Sequence, residues 1–241
     1  PPPTPPHPGN PRGGFSPPAS LRNITNSEEA VFQLQERTGL MIRLLSGREE
    51  AILDYVGATS GMEEREQGMV LDIGGGTTDV AVISLGEIIT SSSLKVAGDA
   101  MDREIIKFCK EEKKLLIGDR TAEEVKKKIG TAWKGSTTEV MEVSGRDLVS
   151  GLPISIELNS AEIQGCLSER LAEIVHACRT VLENTPPELA ADIVTRGMVL
   201  TGGGALLHGL DELLRDELHI PVFVADNALR CVAEGTGILL E

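Results

Sequence analysis

Eight consecutive residues, Asp72-Ile73-Gly74-Gly75-Gly76-Thr77-Thr78-Asp79, have the types and spacing to do chemistry on an anion. Three successive glycines between two apolar runs let the backbone turn its N–H groups toward a charged oxygen at a range that a side chain would block. Phosphate is the natural guest. Threonine hydroxyls can donate to its oxygens. Asp72, at a strand end, can hold a magnesium ion through water, because Mg2+ takes hard oxygen ligands and keeps several waters. Taken alone, the glycines also read as a hairpin turn; the flanking aspartates and threonines favour phosphate. A second run, Thr201-Gly202-Gly203-Gly204-Ala205, ends an apolar segment and opens a helical one. A doubly wound sheet places ligands at such ends, and glycine there would let adenine or ribose approach the backbone. An ordinary strand-to-helix turn is the other reading. The two runs lie about 130 residues apart, too far for one mononucleotide-binding unit, and together they suggest one nucleotide held between two parts of the chain.

Elements that could position these turns are legible on either side. Gly68 to Ile73 and Val80 to Leu85 predict buried strands around the first turn, and Glu87 to about Val96 predicts a third strand of a meander. Residues 99–130 predict two helices, the second opened by a capping box at Thr121 and Glu124 and closed by Gly130. Alternating segments around Val140 and Ile154 predict a small antiparallel sheet. A long amphipathic helix over 160–183 follows, stopped by Asn184 and Pro186-Pro187. Then come a strand over 198–201, a helix over 205–219, a strand over 221–224 and a last helix from about Ala228. Upstream, Asn26 to Gly39 predicts a helix, Leu40 to Leu45 a short strand, Arg48 to about Gly57 a second helix, and Met62 to Gln67 an acidic linker. Nine of the 13 prolines fall in the first 20 residues, a polyproline-like or disordered tail.

The 241 residues carry 23 basic and 37 acidic side chains, a net charge of −14, with 40% hydrophobic residues. That hydrophobic share supports a buried core. The acidic balance and the absence of a basic stripe argue against nucleic acid as a partner. Apolar stretches of about eight residues fall far short of the roughly 20 that span a bilayer, so a soluble, unexported protein is expected. Four cysteines without a Cys-x-x-Cys pair, and only four histidines, suit free thiols in a reducing cytoplasm rather than a zinc site.

Residues 68–241 resemble the bacterial actin family of rod shape-determining MreB proteins. The resemblance rests on Leu71 to Gly86, on Ala97-Gly98-Asp99-Ala100-Met101-Asp102, on Thr185-Pro186-Pro187-Glu188-Leu189, and on Arg196 to Leu207. It implies an α/β fold of the actin-like ATPase (ribonuclease H-like) type. The nucleotide-side subdomain would comprise residues 68–103 and 159–241, with a small α+β insertion over 104–158. By that resemblance Gly74, Gly75, Gly76, Thr77 and Thr78 contact the phosphates. Gly98, Asp99, Asp102 and Lys126 lie near the sugar, and Gly202, Gly203, Gly204 and Ala205 face the adenosine. ATP and Mg2+ are the implied cofactors, with Asp72 holding the metal through water. Weak ATP hydrolysis would accompany self-assembly into filaments that guide cell-wall synthesis. The implied partners are further copies of the chain and the cell-wall elongation machinery at the membrane, and the implied location is the cytoplasm, with membrane association through partners. In one departure, the family's Val-Lys-x-Glu-Ile-Gly reads Val125-Lys126-Lys127-Lys128-Ile129-Gly130. Lys128 cannot accept a hydrogen bond from a ribose hydroxyl, and at least two of the three lysines read as a solvated helix face.

Residues 21–57 resemble another branch of the superfamily, the exopolyphosphatase and guanosine pentaphosphate phosphohydrolase family, through Leu21 to Asn26, Arg37 to Leu40 and Ser46-Gly47-Arg48-Glu49-Glu50-Ala51. Both resemblances place Glu50 where a carboxylate would orient attacking water; a solvated glutamate in a helix first turn is the alternative. The first phosphate loop that opens a complete bacterial actin does not fit into residues 1–67. The fold is therefore expected to be incomplete, with 21–67 a remnant of the partner domain and the chain a splice or a truncated product. A polyphosphate or guanosine pentaphosphate phosphohydrolase, or an inactive fragment, are the alternative functions. The proline-rich tail lacks the basic and apolar faces of a membrane-binding helix, so weak or absent membrane binding is expected.

Overall fold

The computed structural model describes residues 27–38, 46–60 and 67–239. The expected strand over 40–45, the proline-rich tail and residues 62–66 of the expected linker lie outside the described residues, and Gln67, expected as the linker's last residue, is in a strand. Two compact units divide at Ser46 and Gly47. Within the first, α1 (Ser27–Thr38) is a helix between Asn26 and Gly39, as its flanking residues predict.

The second unit opens with α2 (Gly47–Ala58), followed by the meander β1 (Gln67–Ile73), β2 (Thr78–Ser84) and β3 (Glu87–Leu94). After α3 (Gly98–Glu111), β4 (Leu115–Leu116) and α4 (Asp119–Ile129) come the hairpin β5 (Val140–Asp147) and β6 (Pro153–Asn159). Next are α5 (Ser160–Glu183), α6 (Pro187–Arg196), β7 (Met198–Thr201), a 3-10 turn (Gly203–Leu206), α7 (Leu210–Leu218), β8 (Val222–Val224) and α8 (Cys231–Leu239).

The main sheet runs β3-β2-β1-β7-β8. β1 is antiparallel to β2, parallel to β7, and buried along nearly its whole length. That burial explains its unbroken apolar run: a strand covered on both faces has no solvent side to make polar. Successive side chains still point to opposite faces. Met69, Leu71, Ile73, Val80 and Val82 belong to the large core with Ile163, Leu167, Leu171 and Ile174 of α5. Val70, Ala81 and Ile83 pack with Ala51 and Tyr55 of α2. Asp72 shares the parity of Val70, and Asp79 that of Ala81, so both aspartates point to the α2 face. A smaller sheet, β4-β5-β6, lies between α3 and α5 in the chain.

Local signals set most boundaries. Asn159 caps α5 reciprocally with Glu162, accepting from its N–H at 3.0 Å while the Glu162 carboxylate accepts from Asn159 N–H at 3.1 Å. The capping box expected at Thr121 does not form. α4 starts at Asp119 after an extended Gly118, with no side-chain cap, and Thr121 falls inside the first turn. The helix expected over 205–219 is broken: Gly209 turns at φ +71°, separating the 3-10 turn from α7. The Pro186-Pro187 stop also starts α6, because proline at the first helical position gives up only an N–H that has no helical partner.

α2 packs against α8 at a crossing that two glycines permit. A Cβ on Gly57 would lie 2.0 Å from the Cys231 carbonyl oxygen, and one on Gly235 1.9 Å from that of Leu53. Gly165 on α5 is exposed with open space around it. Gly57→Ala is expected to lower unfolding free energy by roughly 2–4 kcal/mol through forced separation of the helices. Gly165→Ala should raise it by about 0.5–1 kcal/mol through helix propensity. Urea denaturation of both variants checks the pair; equal effects would contradict the tight crossing.

Candidate functional site

The glycine run after β1 closes as a tight turn in which Gly74 N–H donates to Thr77 O at 2.9 Å. Gly75 is exposed, while Gly74, Gly76 and Thr77 are half-buried. Among the described residues no acceptor takes the N–H of Gly75, Gly76 or Thr77. Three successive open amides of this kind form an anion-binding concavity. Behind the turn stands the first turn of α3. Gly98 N–H donates to Gly74 O at 3.2 Å and Asp99 N–H to Gly75 O at 2.7 Å, so α3 occupies these two carbonyls and leaves the three amides open. A Cβ on Gly75 would still find room, 3.4 Å from Asp99 Oδ1.

Thr78 is placed differently from expectation. It is fully buried and its hydroxyl donates to Val96 O at 2.6 Å, so that proton ties the hairpin to the segment before α3 and is not offered to phosphate. Thr77 remains accessible.

On the α2 face of the sheet, Asp72 sits between two neighbours in register, Asp79 on β2 and Thr201 on β7. Thr201 donates weakly to Asp72 Oδ1 at 3.5 Å. Asp54 of α2 completes this cluster, and nothing in the glycine motifs points to it. Its own segment, Ala51-Ile52-Leu53-Asp54-Tyr55-Val56, carried the signal: one carboxylate on an otherwise apolar helix stretch. Asp54 is 1% exposed and its Oδ2 has no hydrogen-bond partner. Burial, then the charges of Asp72 and Asp79, push its carboxyl up to about 9, against the opposing bond from Thr201. Glu50 lies one turn earlier on α2 and is buried, which removes the solvated-glutamate reading.

The second glycine turn reaches the same strand end by close approach. A Cβ on Gly202 would lie 2.3 Å from Asp72 Oδ1, and one on Gly204 2.2 Å from Ile73 Cγ2. These two glycines therefore let the turn after β7 seat on the end of β1. Gly203 is exposed, but Ala205 is 3% exposed and part of the main core, so it does not present a surface to a nucleoside as the resemblance implied.

Gly98, Asp99, Asp102 and Lys126 are brought together. Lys126 Nζ donates to Gly98 O at 2.9 Å and to Asp102 Oδ2 at 2.8 Å, both side chains 15% exposed. Asp102 Oδ1 is buried without a partner, and burial raises the carboxyl despite Lys126. Lys127 pairs with Glu123 on the exposed face and Lys128 is exposed, which matches a solvated face for two of the three lysines. Among the described residues no group of three His, Cys, Asp or Glu side chains could hold a metal, and no helix is long and apolar enough to cross a membrane.

Comparison with known proteins places these features. The family model described as MreB/Mbl protein matches residues 22–241, taking in the segment with the phosphohydrolase resemblance from residue 22 on. The cell shape-determining protein Mbl of Bacillus cereus is 52% identical over 220 residues, covering 91% of this chain and 66% of that protein. The chain thus spans about two thirds of this relative's length. A crystal structure of MreB5 of Spiroplasma citri bound to AMPPNP superposes with a TM-score of 0.80 at 37% identity, covering 94% of this chain and 67% of that one. A MamK double helical filament shares the fold, with a TM-score of 0.68 at 18% identity over 92% of this chain and 66% of its own.

Asp54 binds its proton more tightly folded than unfolded, so the folded state holds more protons and stability falls as pH rises from the ordinary carboxylate range toward about 9. Asp54→Asn keeps the shape and removes that titration. In nucleotide-free protein it is expected to raise stability at pH 7 by roughly 2–4 kcal/mol and to flatten the fall between pH 5 and pH 8. Thermal unfolding across that range checks it; an unchanged slope would contradict a protonated Asp54.

Proposed function

The chain belongs to the MreB/Mbl family, and on that premise we propose that it is a bacterial actin-like protein. It would bind ATP with Mg2+ at the turn between β1 and β2, and assemble with copies of itself into filaments that help determine cell shape by organising cell-wall synthesis. The observation that carries this reading is the set of open amides at Gly75, Gly76 and Thr77, held outward by α3 and bordered by Asp72. Phosphate oxygens accept from those amides; Thr77 adds a hydroxyl, and the α3 N-terminus adds a favourable dipole at the loop's back. The MreB5 structure, which holds AMPPNP, supports a nucleotide as the guest, and the filament of MamK supports self-assembly.

Asp72 fits Mg2+ as an outer ligand: it is a hard oxygen donor at the loop edge, and without two further carboxylates in coordinating geometry the ion would keep its waters. Bound there, the ion would supply neutralisation of phosphate charge. Lys126 positions the first turn of α3 through Gly98 O, and with Asp102 and Asp99 it lines the place proposed for the ribose. Gly202 and Gly203 would border the adenosine. Glu50, buried on α2, is the proposed group for orienting water in a weak ATPase step coupled to assembly. The cell-wall elongation machinery at the membrane is the proposed partner. The proposed location is the cytoplasm, with membrane association through that partner.

Thermal unfolding with and without millimolar Mg-ATP tests binding: the midpoint should rise by several degrees, and Gly75→Val, which places a branched side chain over the open amides, should abolish the rise while leaving the ATP-free midpoint within about 2 °C. ATP-dependent sedimentation tests assembly. Phosphate release from polyphosphate without sedimentation would replace this reading with a phosphohydrolase.

A further inference from the structure

Helices α3 and α5 run antiparallel, and two ion pairs set how they face. Glu104 accepts from Arg170, the guanidinium lying 2.8 Å from its Oε1, and Lys113, two residues past the end of α3, pairs with Glu162. From the first pair to the second the chain advances nine residues from Glu104 while α5 goes back eight from Arg170. Between the two pairs lie Cys109 on α3, five residues after Glu104, and Cys166 on α5, four residues before Arg170, near enough for Cys109 to act on Cys166. Cys109 is fully buried, Cys166 is partly buried against the same core, and both are free thiols. Burial pushes Cys109 up to about 11, and burial together with the nearness of Cys109 pushes Cys166 up to about 12. The remaining cysteines are not candidates for this seam: Cys178 is twelve residues further along α5, about 18 Å away, and Cys231 is on α8.

We propose that Cys109 and Cys166 form a dithiol that a low-molecular-weight disulfide oxidises to a covalent link between α3 and α5. Cys166, the more exposed sulfur, attacks first as its thiolate, breaking the S–S bond of the oxidant and releasing one thiol. Cys109, deprotonated in turn, displaces the second thiol and forms the intramolecular S–S bond. Two cysteine S–H bonds are lost, one S–S bond is gained, and the oxidant is reduced to two thiols. Because both thiols are held protonated near neutrality, the reaction is slow at pH 7 and speeds about tenfold per pH unit. The link closes a loop of 57 residues and pins the far end of the helix whose first turn backs the glycine loop.

The test uses the full chain under native conditions with oxidised glutathione at pH 7, 8 and 9. Peptide mapping should find the Cys109 and Cys166 peptides joined with the loss of two hydrogens, at a rate rising with pH. The oxidised chain should melt about 5–10 °C above the reduced one, and dithiothreitol should reverse the shift. Cys166→Ala, at the partly exposed position, should fold and melt like the reduced chain yet show no shift. A stable glutathione adduct on Cys166, a link to Cys178 or Cys231, or a midpoint that falls on oxidation would each overturn the proposal.

Discussion

The carboxyl end of β1 is where three separate pieces of backbone meet, one of them closer than any side chain allows. From β7 the second glycine turn approaches Asp72 and Ile73, with Gly202 and Gly204 at distances no Cβ could occupy. From α3 the first two amides reach the carbonyls of Gly74 and Gly75. The third piece is the turn itself, closed between Gly74 and Thr77. Sheet order follows from this crowding: β1 takes β2 on one side through the short glycine turn and β7 on the other through a parallel register that ends at Asp72 and Thr201. Once these contacts are made, the carbonyls of Gly74 and Gly75 are satisfied by α3, while the amides of Gly75, Gly76 and Thr77 have no acceptor among the described residues. This asymmetry is what gives the site a preference for anions.

Charge in the interior is handled unevenly around that point. Lys126 and Asp102 pair at 2.8 Å, and the lysine also bonds the Gly98 carbonyl, so one cation anchors a helix turn and offsets one carboxylate. On the α2 face Asp54 lies against Asp72 and Asp79, and there the cost of crowding is relieved by Asp54 holding its proton. A neutral carboxylic acid at Asp54 is cheaper than a further charge buried there. The tight glycine crossing of α2 and α8 makes the arrangement persistent, because α2 cannot lift Asp54 away from the sheet without breaking its contact with α8.

Much of this was legible in the order of residues. The meander, the long helix with its Asn159 cap, the strand over 198–201 and both glycine turns follow from periodicity and turn chemistry, which act over a few residues and so leave a local trace. Recurring motifs likewise pointed to the bacterial actins before any contact was known. Less visible were β4, two residues long, and α6, hidden behind a proline pair that reads equally as an end and as a beginning. The false capping box at Thr121 shows the limit of a pattern match: Gly118 could start the helix earlier, and tertiary packing of Ala122, Val125 and Ile129 favoured the longer version.

Residue order alone sets the chemistry on offer: glycines that expose amides, a carboxylate at each end of the turn, and a run of lysines in which one differs in use from its neighbours. Which groups are actually offered was decided by the tertiary structure. Thr78 spends its hydroxyl on Val96, Ala205 turns into the core, and Asp54 arrives from a helix about 20 residues upstream of the motif it joins. The physical reason is range. Backbone preference and amphipathic period act between near neighbours, whereas burial and hydrogen-bond satisfaction depend on which distant segments meet, and only the packed fold brings β7, α2 and α3 to the same strand end.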